Sequence, residues 1–152
     1  MNAGIADLIR NLDGKNWGEV EDAREVLVPL GRDIFPAAME IFSELRGYKA
    51  RVALVYTAIK FALVEPDAVN LALAALQDKS GAVRYRACML LAVAGRDDTI
   101  KRLEFLLDHK SSETREDAQA AINAIKAGNQ DLFLDRDGRG KSHLRIGGLI
   151  IP

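Results

Sequence analysis

The sequence predicts an all-α fold of about four helix pairs, closed by a short C-terminal β-hairpin. Three observations predict it. Aromatic residues make up only 6% of the chain while alanine is abundant, a composition that suits close-packed helices better than strands. Apolar residues recur at steps of three and four, which draws one face of a helix. Those stripes return along the chain at a spacing of 31 to 33 residues, the mark of a repeat architecture.

The repeat is seen by aligning Pro36, Asp67 and Asp98, which stand 31 residues apart. Ala38, Val69 and Ile100 then coincide, as do Ile41, Ala72 and Leu103, and Leu45, Leu76 and Leu107. A second alignment on Arg51, Arg84 and Arg115 brings together Leu54, Ala87 and Ala118, then Ala58, Leu91 and Ile122, then Phe61, Ala94 and Ile125. The expected helices run over 34–46 with 48–64, 67–78 with 81–95, and 97–109 with 112–127.

Punctuation supports these bounds. Gly47, Gly95 and Gly128 stand where helices are expected to stop, because glycine tolerates the left-handed C′ position. Pro66 before Asp67 suits a first turn, where its missing N–H costs nothing. Ser80 and the Ser111-Ser112 pair precede apolar-periodic runs and are placed as N-caps. In the N-terminal third, "AGIADLIRNL" and "GEVEDAREVLVPLG" read as a less regular cap pair over 1–31, with Pro29 ending or kinking its second helix. The whole reads as one domain: the cap pair, three repeats over 34–128, and a tail over 129–152.

The tail leaves the helical pattern. Leu132 and Leu134 alternate with Phe133 and Asp135, and Leu144 and Ile146 with His143 and Arg145, around Asp137-Gly138 and Gly140. That alternation about a Gly-rich turn predicts the β-hairpin, which would cover the open end of the last helix pair. The same stretch half-spells a calcium loop and a P-loop. A calcium loop beginning at Asp135 would put Arg139 and Ile146 where oxygen donors belong. A P-loop would need glycine where Asp135 stands and a helix after Ser142. Neither ligand is expected.

The stretch "LQDKSGAVRYRACMLLAVAG" resembles the second half of a HEAT repeat, through Asp78, Val83, Arg84, Ala87, Leu91 and Gly95. The resemblance covers about residues 34–128. It implies a HEAT-like, armadillo-type α-α superhelix, or solenoid, in which Asp78 and Arg84 belong to a polar ladder between repeats, with Arg51 and Arg115 at matching positions. Small bacterial HEAT-like proteins of unassigned function resemble this chain in ending with a segment similar to "LFLDRD". The tetratricopeptide pattern wants Trp-Leu-Gly-Tyr in its first helix, whereas Trp17 lies outside the repeats.

Composition narrows function only broadly. A formal net charge of -1 weighs against a general nucleic-acid binder. The first residues lack the basic and apolar regions of a signal peptide, and no apolar run is long enough to span a bilayer, so a cytoplasmic location and no membrane partner are expected. The single cysteine, Cys88, sits in an apolar run and reads as a core residue. The two histidines, His109 and His143, have no partner at ligand spacing and read as surface residues, and no nucleophile elbow occurs. No catalytic residue, metal or cofactor is expected. The acidic run "EVEDARE" reads as a solvated helix face.

The resemblance implies that the second helix of each pair lines a concave binding surface. Counting outward from the buried stripes, Tyr56, Lys60, Arg86, Met89 and Asp117 are the expected contact residues, with Arg136, Arg139 and Lys141 at the hairpin tip. The primary expectation is therefore a non-catalytic module that binds an unidentified protein or peptide. The alternative is a small enzyme or nucleic-acid-processing protein on the same scaffold. A homodimer through the tail or its "GGLIIP" end is a further expectation, since an uncovered apolar edge invites pairing.

Overall fold

A computed structural model describes residues 3–152. Among them it forms eight α-helices: α1 (Ala3–Arg10), α2 (Trp17–Leu27), α3 (Ala37–Ile41), α4 (Tyr48–Ala58), α5 (Pro66–Ala75), α6 (Gly81–Ala94), α7 (Ile100–Glu104) and α8 (Ser112–Ala127). Short 3-10 turns extend the ends of several, over Val28–Ile34, Phe42–Glu44, Ile59–Phe61 and Phe105–Asp108, and Asp97–Thr99 leads into α7. Every expected helix is present. The first members of the first and last expected pairs, α3 and α7, are single short α-segments finished in 3-10 geometry, a tighter coil used in short pieces.

The even-numbered helices pack in chain order, α2 on α4, α4 on α6 and α6 on α8. Behind them α1 packs on α3 and α3 on α5, while α5 packs on α6 and α7 on α8. Position in the row sets the pattern of each even helix. α4 and α6 have neighbours on both sides, and their buried residues run consecutively, Ala50 to Val55 and Ala87 to Val93. α8 has a helix of the row on one side only. It buries Ala118, Ala121, Ile122 and Ile125 and exposes Arg115, Gln119 and Asn123 at steps of four. A helix apolar all round is buried, whereas one with a single apolar stripe lies at a surface. Fully buried Leu54, Leu71 and Leu90 each contribute roughly 1.5–3 kcal/mol of apolar burial.

The caps differ from expectation at two places. Gly95 and Gly128 end α6 and α8 in the left-handed conformation, with φ of 64° and 63°. Gly47 does not: its backbone is extended, and it opens α4 instead of closing α3. Asp13 reaches across to accept the N–H groups of Arg46 and Gly47 at 3.0 Å. Ser111 caps α8 by accepting from Thr114 N–H. Ser80 makes no such bond at α6; its own N–H donates to Asp78 Oδ1 at 2.9 Å.

The expected β-hairpin is not formed, and no strand occurs among the described residues. Asn129 accepts from Asp131 N–H and starts a 3-10 turn over Gln130–Phe133, which turns Phe133 inward. Phe133 is fully buried and its ring lies 5.4 Å from that of Tyr85 on α6, so the alternation marked by Leu132 and Leu134 is not the one that is buried. The two runs do come side by side, but side chains hold them. Asp131 Oδ1 accepts from Leu144 N–H at 2.9 Å and Gln130 Nε2 donates to Leu144 O at 3.0 Å. The chain then runs back to α4, where Ile150 N–H donates to Lys60 O at 2.9 Å. Tertiary anchors on α6 and α4 outcompete a marginal two-stranded ribbon.

Candidate partner-binding face

The exposed side of α2, α4 and α6 collects a distinctive set of side chains. The chain holds one tryptophan and three tyrosines. Trp17 opens α2, Tyr48 and Tyr56 lie on α4, and Tyr85 lies on α6. Trp17 meets Tyr48 edge-on at 6.2 Å between ring centroids. Trp17, Tyr48 and Tyr56 are each more than two-fifths exposed.

Each ring is matched by a cation. Lys49 Nζ lies 4.9 Å from the Tyr48 centroid and 5.7 Å from that of Trp17. The Arg24 guanidinium, from α2, lies 5.1 Å from the Tyr56 centroid, and that of Arg86, from α6, lies 4.7 Å from it. Arg86 also lies 5.4 Å from the Tyr85 centroid. These distances are within cation–π range, where partly desolvated pairs contribute about 0.5–2 kcal/mol. Arg24 is additionally bound by Glu21 and donates to Thr57 Oγ1 at 2.9 Å. Thr57 is buried and its O–H donates to Ala53 O, so the arginine is oriented from below as well as from the side.

A groove of about 600 Å³ opens beside this array. It is lined by Trp17, Val52, Tyr85 and Arg86 from α2, α4 and α6, and by Glu113, Glu116, Asp117 and Arg136 from α8 and the tail. A smaller recess of about 270 Å³ continues at the far end of α4, between Arg24, Tyr56, Lys60 and tail residues Ile146 and Gly147.

The expected contact residues divide. Tyr56 is exposed, and Lys60 and Arg86 are half-buried on this face. Met89 and Asp117 were placed outward by counting and are in fact buried. Met89 turns its sulfur to Arg86 Nη1 at 3.5 Å, and Asp117 is covered by the tail, whose Arg136 donates to Asp117 Oδ1 at 3.0 Å. Burial pushes the Asp117 carboxyl above its usual range, and the Arg136 hydrogen bond opposes that rise. Arg139 and Lys141 are exposed, and Arg139 stands 4.0 Å from Asp137.

The three aligned arginines share one geometry. Arg51 Nη1 donates to Leu45 O and Arg46 O, Arg84 Nη1 to Asp78 O, and Arg115 Nη1 to His109 O and Lys110 O. Each thereby satisfies carbonyls left open where the preceding helix ends. The other edge of the guanidinium differs. Arg51 forms a two-point pair with Asp78 at 2.7 and 3.2 Å, and Arg84 Nε donates to Thr114 Oγ1 at 3.0 Å. Both are buried, whereas Arg115 is exposed.

The remaining singled-out groups pack in the core or hold turns. Cys88 is buried and its thiol is pushed up to about 12 by desolvation. His109 Nδ1 accepts from Ser111 N–H at 3.0 Å, and desolvation lowers its pKa. His143 Nδ1 lies 2.9 Å from Asp131, which holds that carboxylate below its usual range. Asp135 is buried and takes the Gly140 N–H at 2.7 Å, with Gly138 and Gly140 in left-handed conformations that its turn requires. Among the described residues no three His, Cys, Asp or Glu side chains converge to hold a metal ion, and no helix is long and apolar enough to cross a membrane.

Counting missed Trp17, Arg24, Tyr48 and Lys49. A signal was present: Tyr48, Val52, Tyr56 and Lys60 follow one another at steps of four along α4. Trp17 and Lys49 carry no such signal, since Trp17 meets Tyr48 only where α2 packs on α4. The sequence matches no known family model and no curated protein.

Proposed function

We propose that this protein is a non-catalytic interaction module that binds an extended segment of a protein partner along the exposed face of α2, α4 and α6. The observation that carries the reading is the gathering of the tryptophan and all three tyrosines there, three of them exposed and each with a cation at its ring. Tryptophan, tyrosine and arginine are the side chains enriched where binding energy concentrates, because they offer large area and a polar handle at small entropic cost. The adjoining groove of about 600 Å³ is lined from α2, α4, α6 and α8 together, so a segment seated in it would meet several helices at once.

In this reading the eight helices form a HEAT-like solenoid, with 1–31 as its cap and 34–128 as its repeats. The successive packing of α2, α4, α6 and α8 supports that arrangement. So do the arginines at matching positions: Arg51 and Arg84 join one pair to the next, as a ladder would. Arg136, which lines the groove, is the tail's contribution to the contact surface, with Arg139 and Lys141 beyond it.

Selection of binders from a random peptide library against the full chain tests the reading. Selected peptides are expected to lose at least ten-fold in affinity on Tyr56→Ala, with the circular dichroism and melting temperature of the variant retained. Peptides that bind equally well to Tyr56→Ala and Trp17→Ala would place the binding surface elsewhere and end this proposal.

A further inference from the structure

We infer that the partner segment is acidic, and that its carboxylates lie toward α4 and away from α8. The inference rests on the binding face proposed above and assigns its charge.

Three cations on this face, Lys49, Lys60 and Arg86, have no carboxylate partner among the described residues. Each is held instead against an aromatic ring: Lys49 on Tyr48 and Trp17, Arg86 on Tyr56 and Tyr85, and Lys60 on Phe61 at 5.1 Å. A ring fixes where a cation stands without neutralising its charge or using up its hydrogen-bond donors. Arg86 is the sharpest case. It is half-buried between two tyrosines, and among the described residues the one hydrogen bond its side chain makes is to the weak acceptor sulfur of Met89. A carboxylate arriving at its free edge would form a charge-assisted, two-point pair with little further ordering of the arginine.

The lining from α8 reverses the sign. Glu113 and Glu116 lie on α8 without a cationic partner among the described residues, while Asp117 is taken by Arg136. Those glutamates repel negative charge on their side of the groove, so the field across it orients an acidic segment. The same geometry argues against single-stranded nucleic acid. Such strands bind by stacking bases on open aromatic faces. Here cations from α2 and α6 both stand over the Tyr56 ring, Lys49 stands over Trp17 and Tyr48, and a uniform phosphate chain would have to pass Glu113 and Glu116.

Trp17 is the only tryptophan and lines the groove, so its emission reports occupancy directly. The test titrates the full chain with four probes of roughly equal length: a labelled peptide alternating Glu with Gly, the same peptide with Gln, the same with Lys, and an oligothymidylate. The Glu peptide is expected to shift Trp17 emission and to bind at least ten-fold tighter than the Gln peptide. Raising the salt several-fold should weaken it, as screening requires. Arg86→Gln should weaken it at least five-fold with the melting temperature retained, whereas Glu116→Gln should tighten it. Equal or tighter binding of the Gln or Lys peptide overturns the charge assignment and leaves the peptide-binding face standing. Oligothymidylate that binds as tightly and displaces the Glu peptide overturns it in favour of nucleic acid. If no probe moves Trp17, the acidic assignment fails, and the library selection decides the face independently.

Discussion

The interior helices α4 and α6 and the tail over 129–152 are held by different physics. α4 and α6 bury almost continuous apolar runs and are clamped at one end by buried arginines. The tail buries Phe133 and Leu144 but otherwise depends on side chains that grip backbone: Asp131 on Leu144, Asp135 on Gly140, Gln130 on Leu144. The difference teaches where sequence patterns carry weight. A near-continuous apolar run carries an element when neighbours bury it on both sides. When one aromatic anchor and a few polar bonds decide, alternation misleads.

Paired truncations break the comparison most strongly. Leu90→Ala should cost about 4 kcal/mol, because the site is fully buried and cannot collapse. It should lower one cooperative transition for all helices in urea. Phe133→Ala should cost about 3 kcal/mol locally. It should release the tail to proteolysis while α1–α6 unfold at nearly their original midpoint. A single shared loss of cooperativity in both variants would show that tail and helices are one unit.

Next in size is Asp78→Ala, which leaves Arg51 buried without its counter-charge and should cost about 3 kcal/mol. Arg115→Met sharpens the contrast. Its guanidinium satisfies the same kind of carbonyls but is exposed, so the expected loss is only about 1 kcal/mol by chemical denaturation. Equal losses for the two would mean that the interhelical pair adds nothing to the carbonyl cap.

The smallest effect is one of pH. The Asp131 carboxylate is held below its ordinary value, first by His143 and then by Leu144 N–H. A carboxylate with a lowered folded-state pKa contributes stability above its unfolded value, near pH 4, and loses it as pH falls through the folded value. Acidification below about pH 4 should therefore broaden the Leu144 and His143 resonances before those of α6. Asp131→Asn should show the same loosening at neutral pH, where the wild-type tail is ordered. Simultaneous broadening of α6 would contradict the separation.

Much of the fold was legible beforehand. The spacing that aligned Arg51, Arg84 and Arg115 also aligned their bonds to the preceding carbonyls, because a repeated register puts the same side chain over the same helix end. Gly47 misled because a glycine between helices serves an entry as readily as an exit, and only its φ tells which. Met89 and Asp117 misled because counting from a stripe assumes one buried side, whereas α6 is buried nearly all round and α8 is overlain by the tail. The face was half legible: Tyr56, Lys60 and Arg86 follow from helix periodicity, but Trp17 and Lys49 join them only through packing of α2 on α4.

By itself, then, the amino-acid sequence determined an all-helical chain, the approximate bounds of its helices and the residues that bury between them. Those follow from local periodicity and capping, which act over a few turns. The tertiary structure alone decided that the tail folds back without strands, that Asp117 meets Arg136, and that the tryptophan and tyrosines share one face with cations that have no carboxylate partner among the described residues. Asp117 and Arg136 stand 19 positions apart, and Trp17 and Tyr48 farther still. No local rule specifies these contacts; they exist because successive helices stack, and the stacking brings distant side chains to one surface.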